Sequence, residues 1–310
     1  MNDILFVYDN GNTKVTLLSD GTKIREIPDN EPVSLNHMES MDVKITDNCL
    51  PTSDNPICAF CHEKSGPNGK HADLNKLYNV LSSIPSGVEI AIGGGNPLSH
   101  PDLVDFLRKV KAKGLVVNLT VNQKHLKDDG QLLIDLISER LIWGVGISYS
   151  DKKYLPDIEK IINASDNVVF HTIMGINDVD DVELLYKFCQ ERGKVAKVLV
   201  LGYKNYGFGI NYYLKNPDIE ANKYRWYTRL ASYFKRSQLV ISFDNLSIFQ
   251  LNLRRFFTTD AWNKFYMGAE GKYTLFIDAV EQKYASSSTS DNRKSFDECS
   301  LTDFFRLCTF

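Results

Sequence analysis

The sequence predicts an α/β fold: six β/α units around a parallel sheet, with a small β appendage before them and an extension after. Three observations predict it. Short apolar runs at residues 42–46, 88–92, 115–121, 143–148, 168–174 and 196–201 read as strands. Segments of helical periodicity lie between them, as in Leu74, Leu77, Tyr78 and Leu81. Strands that alternate with helices imply parallel pairing, because each crossover needs a helix to return the chain.

Taken in order, residues 1–40 form the β appendage. Ile4 to Tyr8 and Lys14 to Leu18 flank the turn-prone Asp9-Asn10-Gly11-Asn12, and Asp20-Gly21 signals a second turn. The segment is too short to bury a core of its own. From Met41 the β/α pattern begins. Asp73 is placed to cap the first helix; Leu103, Phe106, Leu107 and Val110 repeat the helical spacing after Pro101. Val182, Leu185, Tyr186 and Cys189 do so again, which puts Cys189 in the core. The run from Ala196 to Leu201 is apolar enough to expect helices on at least one face of the sheet. Asn216-Pro217 reads as a cap and first helical position, with a long helix to Lys235 and a strand at 239–243 closing the unit 41–245. The extension, 246–310, holds a strand at 273–280, a Ser/Thr/Asp-rich loop at 286–292 and a closing helix at 301–307.

Composition narrows the class. The chain has 310 residues, 43% hydrophobic and 24% charged, which is ordinary for a globular protein. That length permits two average domains, but an α/β barrel often runs to roughly 250 residues as one unit. With 36 Lys+Arg against 39 Asp+Glu the net charge is −3, against the basic face that broad nucleic-acid binding needs. No run approaches the ~18 apolar residues of a membrane span. Met1 to Tyr8 carries Asp3 and no basic residue before its apolar run, unlike a signal peptide. In such a chain clustered thiols read as a metal site in the reducing cytoplasm rather than as disulfides.

The cluster is Cys49, Cys58 and Cys61, spaced C-x8-C-x2-C, in the loop after the first strand of the sheet. In β/α proteins this is the face that builds active sites. Two metal readings compete. A structural zinc would want a fourth ligand, for which His62 stands adjacent to Cys61. An iron–sulfur cluster on three cysteines leaves one iron without a protein ligand, the open position that a catalytic centre keeps. Three unrelated buried thiols are the bland alternative.

At these residues the chain resembles the radical S-adenosylmethionine (radical SAM) enzymes. Their signature is C-x3-C-x2-C after the first strand, with an aromatic residue before the third cysteine. Phe60 occupies that aromatic position, where the family packs it near adenine. The departure is x8 in place of x3, which costs less than about 1 kcal/mol in closure entropy. Ile92-Gly93-Gly94-Gly95-Asn96-Pro97, at the end of the second strand, is similar to the family's G-G-E-P segment, where backbone meets the methionine amino group. Gly94, Gly95 and Asn96 take those positions, with Asn96 where the family usually has Glu. Asn118-Leu119-Thr120-Val121-Asn122 resembles the third-strand ending, usually T-N-G, and puts Asn122 at the cofactor. Gly146-Ile147-Ser148 resembles the fourth, with Ser148 toward the ribose or methionine. Gly175 in Thr172-Ile173-Met174-Gly175 would lie beside adenine, and Leu201 in Val200-Leu201-Gly202 would complete the nucleoside pocket.

The resemblance covers residues 41–245 and implies a partial TIM-like (βα)6 barrel. It also implies a [4Fe-4S] cluster ligated by Cys49, Cys58 and Cys61, with S-adenosyl-L-methionine chelating the fourth iron. Reductive cleavage would give a 5′-deoxyadenosyl radical that abstracts hydrogen from a small-molecule or peptide substrate. The partners implied are that substrate and an electron donor such as flavodoxin or ferredoxin; the enzyme would be oxygen-sensitive. The chain lacks an evident auxiliary-cluster domain, which tilts the substrate away from peptides. Cys299 and Cys308 have no CxxC companion. The rivals are a non-catalytic α/β protein with a structural metal, and a degenerate family member that binds S-adenosylmethionine without cleaving it. His62, Glu63, Ser65 and His71 read equally as site-mouth groups or solvated loop. Lys204, Asp244, Asp278 and Arg293 read singly as surface charge, and Tyr206, Tyr212 and Tyr213 as packing or recognition.

Overall fold

The computed structural model describes residues 3–28, 31–52, 56–266 and 268–309. Residues 53–55, within the predicted cysteine loop, lie outside the described residues. The appendage is a three-stranded antiparallel sheet of β1 (Ile4–Asn10), β2 (Thr13–Leu18) and β3 (Lys23–Glu26). Its first turn needs Gly11: φ is +64°, and a Cβ there would sit 1.8 Å from the Ser34 carbonyl oxygen. Strand β2 alternates, with Val15 and Leu17 buried and Lys14 exposed.

A ten-stranded sheet forms the rest. In chain order come β4 (Ser40–Thr46), α1 (Leu74–Leu81), β5 (Glu89–Gly94), α2 (Leu103–Ala112), β6 (Val116–Asn122), α3 (Leu126–Ser138) and β7 (Gly144–Ser148). Next are α4 (Leu155–Ala164), β8 (Val168–Ile173), α5 (Asp180–Gln190), β9 (Ala196–Leu201), α6 (Gly209–Lys215), α7 (Asp218–Arg229) and β10 (Leu239–Phe243). The chain ends in α8 (Asn245–Gln250), α9 (Thr259–Phe265), β11 (Thr274–Asp278), β12 (Lys283–Ala285), β13 (Arg293–Ser295) and α10 (Leu301–Thr309). The strand order is β10-β9-β8-β7-β6-β5-β4-β11-β12-β13. Strands β4 to β10 pair in parallel in sequence order, as right for β/α crossovers.

The six predicted strands are therefore present, extended at both sides. Strand β10 adds beyond β9, and β11 pairs in parallel with β4, Phe276 opposite Asp42. Asp73 caps α1 as expected, its carboxylate accepting from Asn75 N and Lys76 N. The helix expected from Pro217 to Lys235 is shorter: α7 ends at Arg229, and a single 3-10 turn carries the chain to Tyr233. An unpredicted helix, α6, precedes it and ends at Asn216, whose amide donates to Tyr212 O at 2.7 Å.

The two faces of the sheet differ in chemistry. Met41, Val43, Ile45, Ile90, Ile92, Leu119, Val145, Ile147, Phe170 and Val198 face the helices in one hydrophobic core with Leu77, Phe106, Leu133, Ile158 and Leu185. The residues between them, among them Asp42, Thr120, Ser148 and His171, keep contact with water. In a flat sheet β4 and β10 would be about 29 Å apart, at about 4.8 Å per strand. The segments after β4 and β9 nevertheless meet, Lys204 Nζ lying 3.4 Å from His62 Nε2 and Phe208 N donating to Cys61 O at 2.9 Å. The sheet is curled, helices outside and a polar hollow inside.

The appendage closes the N-terminal end of that hollow. Lys23 Nζ lies 2.7 Å from a Glu89 carboxylate oxygen, and Arg25 grips the fully buried Glu39 with Nε at 2.9 Å and Nη2 at 2.5 Å. Trp143 Nε1 donates to Ser19 O at 3.1 Å. No helix among the described residues is long and apolar enough to cross a membrane.

Candidate cofactor site at the sheet mouth

The loop from β4 to α1 folds back on itself before it presents its cysteines. Asp47 N donates to Lys70 O at 2.9 Å, Cys49 N to Gly66 O at 3.0 Å, and Ala72 N to Ile45 O at 2.9 Å. His71 Nδ1 and Thr46 Oγ1 are 2.9 Å apart, so His71 braces the loop. The C-x2-C pair forms a tight turn, Cys61 N donating to Cys58 O at 3.1 Å. From across the mouth Phe208 N donates to Cys61 O at 2.9 Å, joining the segment after β9 to the third cysteine.

The three thiols lie near one another, and two of them, Cys49 and Cys58, have a lysine beside them. Cys58 Sγ has Lys124 Nζ and Asn122 Nδ2 each at 3.8 Å, and Cys49 Sγ lies 3.5 Å from His125 Nε2. The Lys124 charge also acts on Cys49, and Cys49 feels both other thiols. Burial pushes the Cys49 and Cys58 thiols up, and the Lys124 ammonium pulls against it. Lys124 is 2% exposed. Among the described residues no ion pair or hydrogen bond joins it to a carboxylate.

That arrangement tests the competing metal readings. A buried ammonium without an anion costs several kcal/mol. Three thiolates on an iron–sulfur group would supply the missing negative charge, so the donor set and its cation fit such a group. The zinc set does not form. His62 turns away from the thiols, its Nε2 3.1 Å from Glu63 Oε1 and 3.4 Å from Lys204 Nζ. Among the described residues no three His, Cys, Asp or Glu side chains converge as ligands of a single ion.

The glycine turn after β5 packs on the chain just before Cys49. Gly95 N donates to Thr46 O and Asn96 N to Asn48 O, both at 2.7 Å. A Cβ on Gly95 would lie 2.1 Å from Asn48 O, and one on Gly94, at φ +118°, 2.3 Å from Thr46 O. These glycines are thus required for the close approach of two loops. The Asn96 side chain is engaged structurally: Nδ2 donates to Asp129 Oδ2 at 2.8 Å, and Oδ1 accepts from Leu98 N.

The remaining expected residues share the mouth. Asn122 and Ser148 are register partners on β6 and β7. Leu201, at the end of β9, is opposite Ile173 and accepts from Met174 N at 2.9 Å. Gly175, at φ +96°, lies against α7, where a Cβ would meet Ile219 Cγ2 at 2.7 Å. Phe60 sets its edge against Tyr212, centroids 5.6 Å apart.

Three of the four charges expected singly to be surface groups, Lys204, Asp278 and Arg293, are joined in one network through Lys44, Glu63 and His62. Lys44 Nζ is 2.8 Å from Asp278, 3.0 Å from Asp47 and 3.3 Å from Glu63, at 7% side-chain exposure. Arg293 reaches Asp278 at 3.5 Å, and Lys204 Nζ donates to Ser288 Oγ at 2.9 Å. Burial alone would raise Glu63, but His62 and Lys44 hold it down at about 2. Asp244 caps α8, accepting from Ser247 N at 2.7 Å. The network bolts β11 and the 286–292 loop to the mouth. Cys189 is 1% exposed in the core, as expected.

No protein-family model matches the chain. The chain is 23% identical over 162 residues to a tungsten-containing aldehyde ferredoxin oxidoreductase cofactor-modifying protein of Pyrococcus furiosus. The match takes in 50% of this chain and spans only 40% of that protein. Among solved structures, Streptococcus suis SuiB bound to S-adenosylmethionine is similar at TM-score 0.63 and 11% identity, over 98% of this chain and 86% of SuiB. SuiB bound to its precursor peptide SuiA is similar at TM-score 0.60 and 11% identity, over 87% of this chain and 65% of that one. At 11% identity these likenesses are likenesses of fold: a large, mostly parallel sheet with helices, consistent with the partial barrel that the sequence resemblance implied.

Proposed function

We propose that the chain is a radical SAM enzyme whose partial (βα)6 barrel, residues 41–245, is plugged by the appendage 1–40 and covered by the extension 246–310. The observation that carries this reading is the grouping of three cysteines at the C-terminal mouth of a curled parallel sheet, with the buried Lys124, which no carboxylate meets among the described residues, beside Cys58 and acting on Cys49. Cys49, Cys58 and Cys61 would ligate a [4Fe-4S] cluster. When bound, the cluster and S-adenosylmethionine would supply a one-electron cleavage and a 5′-deoxyadenosyl radical for hydrogen abstraction.

The chain's own groups have definable tasks. Lys124 and Asn122 hold positive charge and an N–H donor against the sulfurs. Backbone of Gly94, Gly95 and Asn96 would meet the methionine amino group, Ser148 the ribose or methionine, and Phe60, Gly175 and Leu201 the nucleoside. The 286–292 loop, tied through Ser288 to Lys204, narrows the entrance and keeps water away. A cytoplasmic flavodoxin or ferredoxin would deliver the electron. SuiB's complex with a precursor peptide supports a peptide among the candidate substrates, beside small molecules.

Anoxic reconstitution tests the reading. The expected result is a brown protein with about four irons, lost in Cys49→Ala, Cys58→Ala or Cys61→Ala, that forms 5′-deoxyadenosine when given dithionite and S-adenosylmethionine. A colourless zinc protein overturns it. Iron and bound S-adenosylmethionine without 5′-deoxyadenosine would identify a degenerate member, a reading favoured by the structural engagement of Asn96.

A further inference from the structure

At the cysteine mouth, three side chains from distant segments come within reach of one another. Lys204 follows β9, His62 follows Cys61, and Ser288 sits in the loop between β12 and β13. Lys204 Nζ donates to Ser288 Oγ at 2.9 Å and lies 3.4 Å from His62 Nε2. The segment that carries Lys204 packs directly on His62, since a Cβ on Gly207 would sit 2.3 Å from His62 O.

The His62 ring cannot satisfy both of its neighbours. Its Nε2 is also 3.1 Å from Glu63 Oε1. With a hydrogen on Nε2 the ring donates to Glu63, and the Lys204 ammonium then faces another donor. With Nε2 bare, its lone pair accepts from Lys204 and faces a carboxylate oxygen instead. Either way one of the two close contacts sets like against like, which costs free energy unless a further group completes it.

The ion pairs around the mouth indicate what that group is. Lys44 meets the carboxylates of Asp47, Glu63 and Asp278, and Arg293 meets Asp278. Lys204, half-buried, makes no ion pair among the described residues, with Asp42 or with any other carboxylate. Its neighbours are held from behind. Arg293 Nη2 donates to Ser288 O at 2.7 Å and Nε to Ser290 O at 3.1 Å, which sets the loop, and Lys44 holds Glu63 at 3.3 Å. Donors fixed by a second layer of contacts are what a preorganised binding site requires.

We propose that Lys204, with Ser288 and the His62 ring beside it, binds the carboxylate of a ligand. A carboxylate oxygen accepts from Lys204 Nζ and Ser288 Oγ and gives the ammonium an anion to set against the opposing donor. A monoanion fits better than a phosphate, because the Glu63 carboxylate stands just beyond the His62 ring and repels a second negative charge. The inference deepens the proposed function and rests on it in one respect: in a radical SAM enzyme the carboxylate belongs to the substrate, held between the third cysteine and the C-terminal extension. The binding itself does not depend on that reading.

Calorimetry at constant ionic strength tests it, on the full chain as metal-free protein and after anoxic reconstitution with S-adenosylmethionine. The probes are pentanoate and Nα-acetyl-glutamate amide, each beside its neutral amide (pentanamide and Nα-acetyl-glutamine amide), and inorganic phosphate. We expect each carboxylate to bind at least about tenfold more tightly than its amide, as one charge-assisted contact provides. Lys204→Met should abolish that preference, Lys204→Arg should keep part of it, and Ser288→Ala should weaken the carboxylates while leaving a preference in place. Circular dichroism of each variant controls for folding. Tighter binding of pentanoate points to a free acid, and of the glutamate amide to a peptide side chain; either supports the site. Equal binding of the neutral amides, phosphate ahead of the carboxylates, an intact preference in Lys204→Met, or no saturable carboxylate binding overturns it. Displacement of the probes by S-adenosylmethionine overturns it too, because the site would then be the cofactor's own. Carboxylate binding without 5′-deoxyadenosine formation would sink the enzyme reading alone, and the reverse would sink the carboxylate site alone.

Discussion

Lys124 places its ammonium 3.8 Å from Cys58 Sγ while only 2% exposed, and among the described residues no carboxylate pairs with it. A fixed cation beside an iron–sulfur group stabilises the more negative, reduced form. Lys124→Met should therefore lower the midpoint potential of the reconstituted cluster by about 60 mV, a tenfold shift in a one-electron equilibrium. Lys124→Arg should keep most of the native value. Anaerobic spectroelectrochemical titration reads both, and an unmoved potential in Lys124→Met refutes the role.

The two glycines at the end of β5 should respond differently to a methyl group. On Gly95 it would lie 2.1 Å from the Asn48 carbonyl oxygen, which belongs to backbone and cannot swing aside. On Gly93 the nearest atom is Thr120 Cβ at 3.8 Å, ordinary contact. Gly95→Ala should cost about 3 kcal/mol and displace the loop that carries Cys49, whereas Gly93→Ala should stay within about 1 kcal/mol. Urea denaturation of the metal-free protein distinguishes them.

The fastening of the C-terminal extension is also open to measurement. Asp278 is 2% exposed and pairs with Lys44 at 2.8 Å, so Asp278→Asn leaves a buried ammonium with Asp47 and Glu63 alone. Breaking a buried pair costs about 3–5 kcal/mol, and two remaining carboxylates should hold the loss near the lower figure. Limited proteolysis should then cut the 286–292 loop faster. The same network predicts an acid limit. Glu63 titrates at about 2, below the ordinary carboxylate value, so its contribution is whole above about pH 4.3 and vanishes as pH falls toward 2.

Much of this architecture was legible from periodicity. The apolar runs gave the six central strands, because Met41, Val43 and Ile45 or Val117, Leu119 and Val121 must be buried somewhere, and Asp73 announced its helix by side-chain chemistry. Thr274–Asp278 was readable as a strand but not as the neighbour of β4, since register between segments more than two hundred residues apart leaves no local trace. The cysteines were legible by spacing, but the cation among them was not. Lys124 lies in a polar stretch, Gln123-Lys124-His125, whose burial depends on a loop arriving from β4. Asp42 did carry a signal, since β4 alternates polar and apolar residues and so has two faces of different chemistry, whereas His171 did not, its same-face neighbours Val169 and Ile173 being apolar. Lys204 and Asp278 looked like surface charge singly because their partners come from distant loops.

His171 makes the hollow sensitive to acid in a direction that can be worked out. Burial first, and Lys204 second, hold its imidazole at about 4 against an ordinary value of 6.5. Between those limits the unfolded chain binds a proton at this residue and the folded chain does not, so stability falls as pH drops through the window. The loss begins near pH 6.5 and is complete below about pH 4. In His171→Gln this portion is absent, and the urea midpoint should decline less between about pH 7 and about pH 4.5 than in the native chain. Parallel decline in the two proteins would mean that the imidazole is freely hydrated, and the hollow correspondingly more open than its neighbours Gly146 and Thr120 imply.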